Sequence, residues 1–309
     1  MIRLLPFLLL LTSVAVFGQQ KDAYIFSYFK NNGEDGLHLA FSEDGYKWTA
    51  LNHDSSFLKP DAGQEKLMRD PCIILGPDNL YHMVWTTGWN EKGIGYANSV
   101  DLIHWSDQRY FEVMQHEPKA RNCWAPEIFY DQKSKQYMIF WATTVEGKFA
   151  ETQSEKESGY NHRIYYVTTK NFREFSEPDL LYDMDFNAID ATIIQHDQKY
   201  VMFVKDETIE PTPQKNIRLS TSGNLTGGYS VASPPITGNY WAEGPAVLKV
   251  DTGWIVYFDK YKEKKMGAVF SKDLQVWTDI SLKIKFPEGT RHGSVLKISR
   301  DMLDALKSK

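Results

Sequence analysis

Apolar strand-like runs, each followed by a polar turn cluster, recur along the chain and predict β-strands joined by hairpins. Five of them open at comparable points: Arg69-Asp70-Pro71-Cys72-Ile73-Ile74, Trp124-Ala125-Pro126-Glu127-Ile128-Phe129, Ile189-Asp190-Ala191-Thr192-Ile193-Ile194, Ala242-Glu243-Gly244-Pro245-Ala246-Val247 and Arg291-His292-Gly293-Ser294-Val295-Leu296. Turn clusters such as Gly76-Pro77-Asp78-Asn79 and His196-Asp197-Gln198-Lys199 follow them. A second pattern interleaves with the first: Ser or Thr, any residue, Asp or Asn, a small or apolar residue, two more, then an aromatic. It runs from Ser42 to Trp48, Ser99 to Trp105, Thr169 to Phe175, in degenerate form from Ser222 to Tyr229, and from Ser271 to Trp277. The closing aromatics are roughly 50 to 70 residues apart, about the length of one four-stranded blade. A lone blade cannot bury both of its faces, so the repeat predicts an all-β fold, a five-bladed β-propeller. Its last blade is closed by N- and C-terminal strands: Arg291 to Ser299 supplies one, and Ala23 to Phe29, Leu37 to Phe41 and a short run after Trp48 supply the others.

If the five similar runs are the innermost strands, their starts converge on the propeller axis at one mouth of the channel. Four carboxylates (Asp70, Glu127, Asp190, Glu243) and one histidine (His292) then occupy equivalent positions of five repeats. An isolated Asp-Pro is ordinarily a turn and an isolated Glu-Gly-Pro a loop start. Their joint occurrence at successive blade starts is what points to chemistry.

Composition narrows the partners. One propeller accounts for residues 19–309 without a second domain. Aromatics are 14% of the chain, enough to pack blades against one another and to furnish stacking platforms for sugars. A formal net charge of −5 with no basic stripe argues against nucleic acid or an anionic membrane as partner. Met1-Ile2-Arg3 followed by apolar Leu4 to Phe17 reads as a signal peptide, residues 1–18, cleaved near Gly18. The expectation is a secreted or periplasmic monomer with no membrane anchor after cleavage, since the first cysteine, Cys72, comes too late to accept a lipid. Cys72 and Cys123 fall on adjacent inner strands, which permits a disulfide; two buried free thiols are the preferred reading.

With these motifs in order, the chain resembles glycoside hydrolase family 43, the five-bladed arabinofuranosidases and xylosidases. The resemblance covers Ala23 to about Ser299. It implies Asp70 of Asp70-Pro71 as general base, Glu243 of Glu243-Gly244-Pro245 as general acid, and Asp190 as the residue that orients the acid and tunes its pKa. Trp124, Glu127, Arg69, Trp241, Arg291 and His292 are expected to bind substrate, with Glu127 the nearest decoy for a catalytic acid. His292-Gly293 matches a segment that in the family faces a water or metal, so the resemblance leaves room for a single cation such as calcium at the axis with His292 as ligand; no cofactor is required. Two departures, Arg69 before Asp70-Pro71 and Ala191 after Asp190, suggest a divergent subgroup.

The implied chemistry is single-step inverting hydrolysis, which needs an acid for the leaving oxygen and a base for water, with carboxyls about 6.5–9.5 Å apart. A protonated Glu243 requires burial and a neighbouring negative charge, for which Asp190 is placed, whereas Asp70 must stay ionised, helped by Arg69 or Arg291. The expected substrates are plant- or microbe-derived oligosaccharides or polysaccharide side chains. The expected activity is exo release of a terminal furanose or pentose, foremost α-L-arabinofuranose; β-xylose and β-galactofuranose stay open. The rivals are an invertase-like fructosidase, whose Asn-Asp-Pro-Asn-Gly and Glu-Cys segments are missing here, and a non-catalytic glycan-binding propeller. Loops at Glu146 to His162 and Asn31 to Gly36 are expected to set substrate choice.

Overall fold

The computed structural model describes residues 23–309. The expected signal segment, 1–18, lies outside them. Five sheets form, each led by one of the runs singled out above. Blade one comprises Arg69–Leu75, Tyr81–Thr86, Ile94–Ser99 and Arg109–Phe111, and blade two comprises Trp124–Asp131, Gln136–Thr144, His162–Thr169 and Asp179–Tyr182. Blade three has three regular strands, Ala188–His196, Lys199–Asp206 and Asn216–Ser222; blade four has Glu243–Val250, Gly253–Lys260, Lys265–Ser271 and Thr278–Asp279. Blade five pairs Gly293–Ile298 with Ala23–Tyr28, then His38–Ser42 and Thr49–Ala50. The closure is an antiparallel register from Ala23 opposite Ile298 to Tyr28 opposite Gly293. The five leading strands touch one another in a closed ring, so they are the inner strands of a five-bladed propeller.

Five apolar clusters fill the five gaps between blades. Met83 and Trp85 of blade one meet Ile25 and Leu39 of blade five, for example, and Phe203 of blade three meets Val256 and Phe258 of blade four. A feature the strand pattern does not anticipate is a C-terminal helix, Arg300–Lys307. The Ser299 hydroxyl caps it by accepting from the Met302 amide at 3.2 Å, and Leu303 and Leu306 are buried in the gap between blades five and one.

The repeated Ser/Thr-x-Asp/Asn phrase is the connection from third to fourth strand. Asp101 Oδ1 accepts from the amides of Ile103 and His104 at 2.9 and 2.7 Å, and Ser99 Oγ accepts from Leu102 N at 2.8 Å. Asp44, Asn171 and Asp273 accept in the same way from the two amides that follow. The fourth position of the phrase is left-handed, with φ of 76° at Gly45, 62° at Leu102, 54° at Phe172 and 61° at Leu274. In the degenerate copy Leu225 does not take this conformation. There the outer strand of blade three is irregular, following its neighbour through single bonds from Ser230, Ser233 and Ile236.

The inner strands carry a second device. Each of the first four has a bulge at its start, with a left-handed residue at Asp70 (φ 52°), Ala125 (47°), Asp190 (52°) and Gly244 (62°). This corrects the expectation that four carboxylates are equivalent. Asp70 and Asp190 sit on the bulge, Glu243 one residue before it and Glu127 two residues after it. The fifth inner strand has no left-handed residue at His292.

Candidate active site

At the bulged end of the ring, a cavity of about 250 Å³ is lined by Arg69, Asp70, Thr86, Trp89, Trp124, Ile189, Asp190, Lys205, Glu207, Glu243, Arg291 and His292. It gathers the expected base, acid and orienting carboxylate, together with Arg69, Trp124, Arg291 and His292. Glu127 and Trp241 are not among its lining residues. Glu127 faces a second axial space of about 500 Å³, lined by all five inner strands and including Cys72, Thr192 and Ser294. Trp241 packs against Tyr261, its ring facing Lys262 and Lys215. Both cysteines are buried free thiols.

Asp70 accepts from Thr86 Oγ1 at 2.8 Å on Oδ2 and meets His292 Nδ1 at 3.2 Å on Oδ1. Burial alone would raise its pKa. The hydrogen bond and charge of His292 outweigh it, with help from the Arg69 charge and Thr86, and bring it to about 2. The partner responds in kind: burial favours neutral imidazole, but Asp70 and, more remotely, Asp190 and Glu127 raise His292 to about 9. Asp70 is therefore a permanent carboxylate at neutral pH, held chiefly by His292; the arginines the sequence suggested for that task are secondary.

Asp190 differs. Its Oδ2 accepts from the Gly244 amide at 3.1 Å, tying it to the turn that carries Glu243. Burial first, and then the charges of Glu243 and Asp70, raise its pKa to about 7 against the pull of His292 and Lys205. Glu127, accepting from Thr192 Oγ1 at 2.6 Å, is raised to about 7, mainly by burial.

Glu243 lies between two cations. Lys205 Nζ donates to Oε2 at 3.0 Å and Arg291 Nη2 to Oε1 at 3.3 Å. Behind Arg291 stands Asp259, fully buried, which accepts from Arg291 Nε and whose pKa rises to about 6 through burial and the charge of Glu243. Gly244 is required by close approach: a Cβ there would lie 2.2 Å from His292 Cγ, on a backbone already left-handed. The rim is aromatic. Arg69 lies against Trp89 and Phe29, 4.3 and 4.7 Å from the ring centres, and shares Asn32 Oδ1 with Trp89 Nε1. Trp124 donates to the Trp89 carbonyl and packs on Tyr160.

A calcium ion at the axis would need six or more oxygen ligands. Among the described residues no group of three or more His, Cys, Asp or Glu side chains is gathered to hold a metal. His292, protonated at neutral pH and bound to Asp70, presents a positive charge where a lone pair would be needed. The residues present do not fit a cation held by His292.

Sequence reasoning missed Thr86, Trp89, Lys205, Glu207 and Asp259. A signal for three of them existed. In an antiparallel hairpin the end of the second strand lies beside the start of the first, so Thr86 stands opposite Arg69, Lys205 opposite Ile189 and Asp259 opposite Glu243.

The five-bladed ring and its carboxylate-lined mouth are those of a glycoside hydrolase propeller. Residues 19–304 match the family described as a probable glycosyl hydrolase domain, related to glycosyl hydrolase family 43, and the chain belongs to that family. It is 24% identical over 294 residues to an α-L-arabinofuranosidase of Bifidobacterium longum subsp. longum, covering 78% of this chain but 27% of the relative, so the chain spans about a quarter of that protein's length. Two solved α-L-arabinofuranosidases share the fold. The one from Clostridium thermocellum has a TM-score of 0.58 at 13% identity, covering 85% of this chain and 94% of its own. The one from Lactobacillus brevis has a TM-score of 0.54 at 20% identity, covering 69% and 72%.

Proposed function

We propose that this protein is an exo-acting, inverting glycoside hydrolase that releases terminal α-L-arabinofuranose from oligosaccharide or polysaccharide side chains. The observation that carries the reading is the asymmetry of the two carboxylates in one small cavity. Asp70 is held ionised by His292 and Thr86, whereas Glu243 sits on a different blade between Lys205 and Arg291. In the reaction Asp70 takes a proton from water as its oxygen attacks the anomeric carbon. The glycosidic C–O bond breaks, and Glu243 gives a proton to the departing oxygen. Both oxygens of Glu243 accept from cations, which favours its charged form, so loosening one of those pairs helps it carry the proton. Asp190 fixes the turn through the Gly244 amide and shifts charge with its own proton.

A cavity of about 250 Å³ suits one sugar ring, which supports exo release. The names of the relatives favour arabinofuranose over xylose or galactofuranose. The apolar leader at Leu4 to Phe17 supports action outside the cytoplasm, on polymers too large to enter it. The test is proton NMR of the first sugar released from an aryl α-L-arabinofuranoside. The β-anomer is expected first, and the α-anomer would overturn Asp70 as base.

A further inference from the structure

Glu243 is one end of a line of alternating charges that crosses three blades. Lys205 Nζ, already bonded to Glu243, lies 2.5 Å from Glu207 Oε2. The other oxygen of Glu207 accepts from Lys215 Nζ at 2.6 Å, and Lys215 is paired in turn with Glu157. Glu157 belongs to a single 3-10 turn, Glu157–Gly159, in the loop between the second and third strands of blade two, one of the two expected to set substrate choice. Both lysines are buried, with 2% and 0% of their side chains exposed, while Glu157 is 40% exposed. A buried ammonium needs its anions, so no link can be dropped without its neighbours adjusting.

Glu207 is shared, one oxygen to each lysine, and this makes the links interdependent. Without the charge at Glu157, Lys215 depends wholly on Glu207. Lys205 is then left to Glu243, which it holds as a charged acceptor. We propose that Glu157, Lys215 and Glu207 are positioning residues that set how firmly Lys205 grips Glu243, so that the blade-two loop determines which leaving groups can be expelled. The proposal rests on Glu243 being the general acid. The other groups facing Glu243 stay as they are: Arg291 on its second oxygen, Asp259 behind Arg291, and Asp190 bonded to the next amide.

The direct test compares Glu157→Gln with the unaltered protein on two arabinofuranosides, one with a nitrophenyl and one with an alkyl alcohol leaving group. The expected result is a roughly five- to tenfold loss of kcat/KM for the alkyl glycoside alone, the size of a typical coupling between sites. Equal losses with both substrates, or none with either, would overturn the proposal. A second measurement needs no turnover. Coupling is reciprocal, so Glu243→Gln should leave Lys205 to Glu207, return Lys215 to Glu157 and slow amide hydrogen exchange across residues 155–159. Unchanged exchange there overturns the charge line. An unaltered protein inert on both glycosides, or a Glu243→Ala variant equally slow on both, instead overturns Glu243 as acid, and the exchange result still decides the coupling.

Discussion

Single residues divide the work of the cavity by what surrounds them. Asp70→Ala and Glu243→Ala are each expected to lose two to four orders of magnitude, roughly, with natural linkages. The losses should differ in kind. Glu243→Ala recovers with a nitrophenyl leaving group, which hardly needs a proton, while Asp70→Ala stays slow with every substrate until azide replaces the water. Rates across a leaving-group series check this, and equal behaviour of the two variants would exchange or erase the roles. Gly244→Ala is a sharper probe of geometry. Its methyl would press on the His292 ring, so activity should fall at least tenfold, with a melting temperature several degrees lower, as one strained contact costs about 1–3 kcal/mol. Full activity in that variant would show that the His292–Asp70 pair tolerates displacement. At this scale the chain was only half legible. Asp70, Asp190, Glu243 and His292 stood out because each breaks an apolar run at its start. Lys205 and Asp259 end their runs, where a charged residue reads as the beginning of a turn. Which residue keeps Asp70 ionised was not legible at all, because it depends on a 3.2 Å contact between strands some 220 positions apart.

Elements were read more securely than the side chains they carry. The inner strands and the strand-to-strand phrases repeat, and a repeat exposes a local requirement: two amides to satisfy and one left-handed position to fill. The bulges were hidden, since an Asp, an Ala or a Gly can occupy the left-handed position and no residue type marks it. That is why equal spacing was mistaken for equal placement in the case of Glu127. The helix Arg300–Lys307 lies beyond the last repeat, so the repeat held no information about it. Blade five permits a direct experiment. Deleting the chain from Thr290 onward removes the strand Gly293–Ile298 and strips Ala23–Tyr28 of its partner. Light scattering and thermal melting should then show association through the bare edge and a lower melting temperature. A monomer that melts unchanged would mean that the ring does not need its closing strand.

Across the whole molecule, four of the buried titrating groups act in one direction. Asp190 and Glu127 rise to about 7, Asp259 to about 6 and His292 to about 9, so between pH 4 and 9 these four hold more protons in the folded protein than in the unfolded chain, opposed below pH 6.5 by His82 and His162, which burial lowers, His162 to about 4. Above pH 6.5, where the two histidines no longer oppose it, stability should fall as pH rises toward 9. The His292 contribution is complete below pH 6.5 and gone once pH passes 9, while the three carboxyls lose theirs between about 4 and 7. Asp70 runs the opposite way, with its contribution lost only as pH falls from about 4 toward 2. Melting curves should show the highest temperature near pH 5 and a lower one at pH 8.5. Glu127→Gln, which removes one of these protons from the balance, should flatten the slope. A wild-type melting temperature that climbs toward pH 8.5 would contradict the proton inventory of the axis.

The closing strand also orders events in time. A ribosome delivers Asp70, Asp190 and Glu243 well before Arg291 and His292, and the pairing that seals the ring joins Ala23 to Ile298. Four blades can collapse as they emerge, yet until residues 291–298 clear the exit tunnel the nascent protein holds Asp70 without its imidazolium and Glu243 without its guanidinium. The mouth of the ring is thus incomplete until its closing strand has been made.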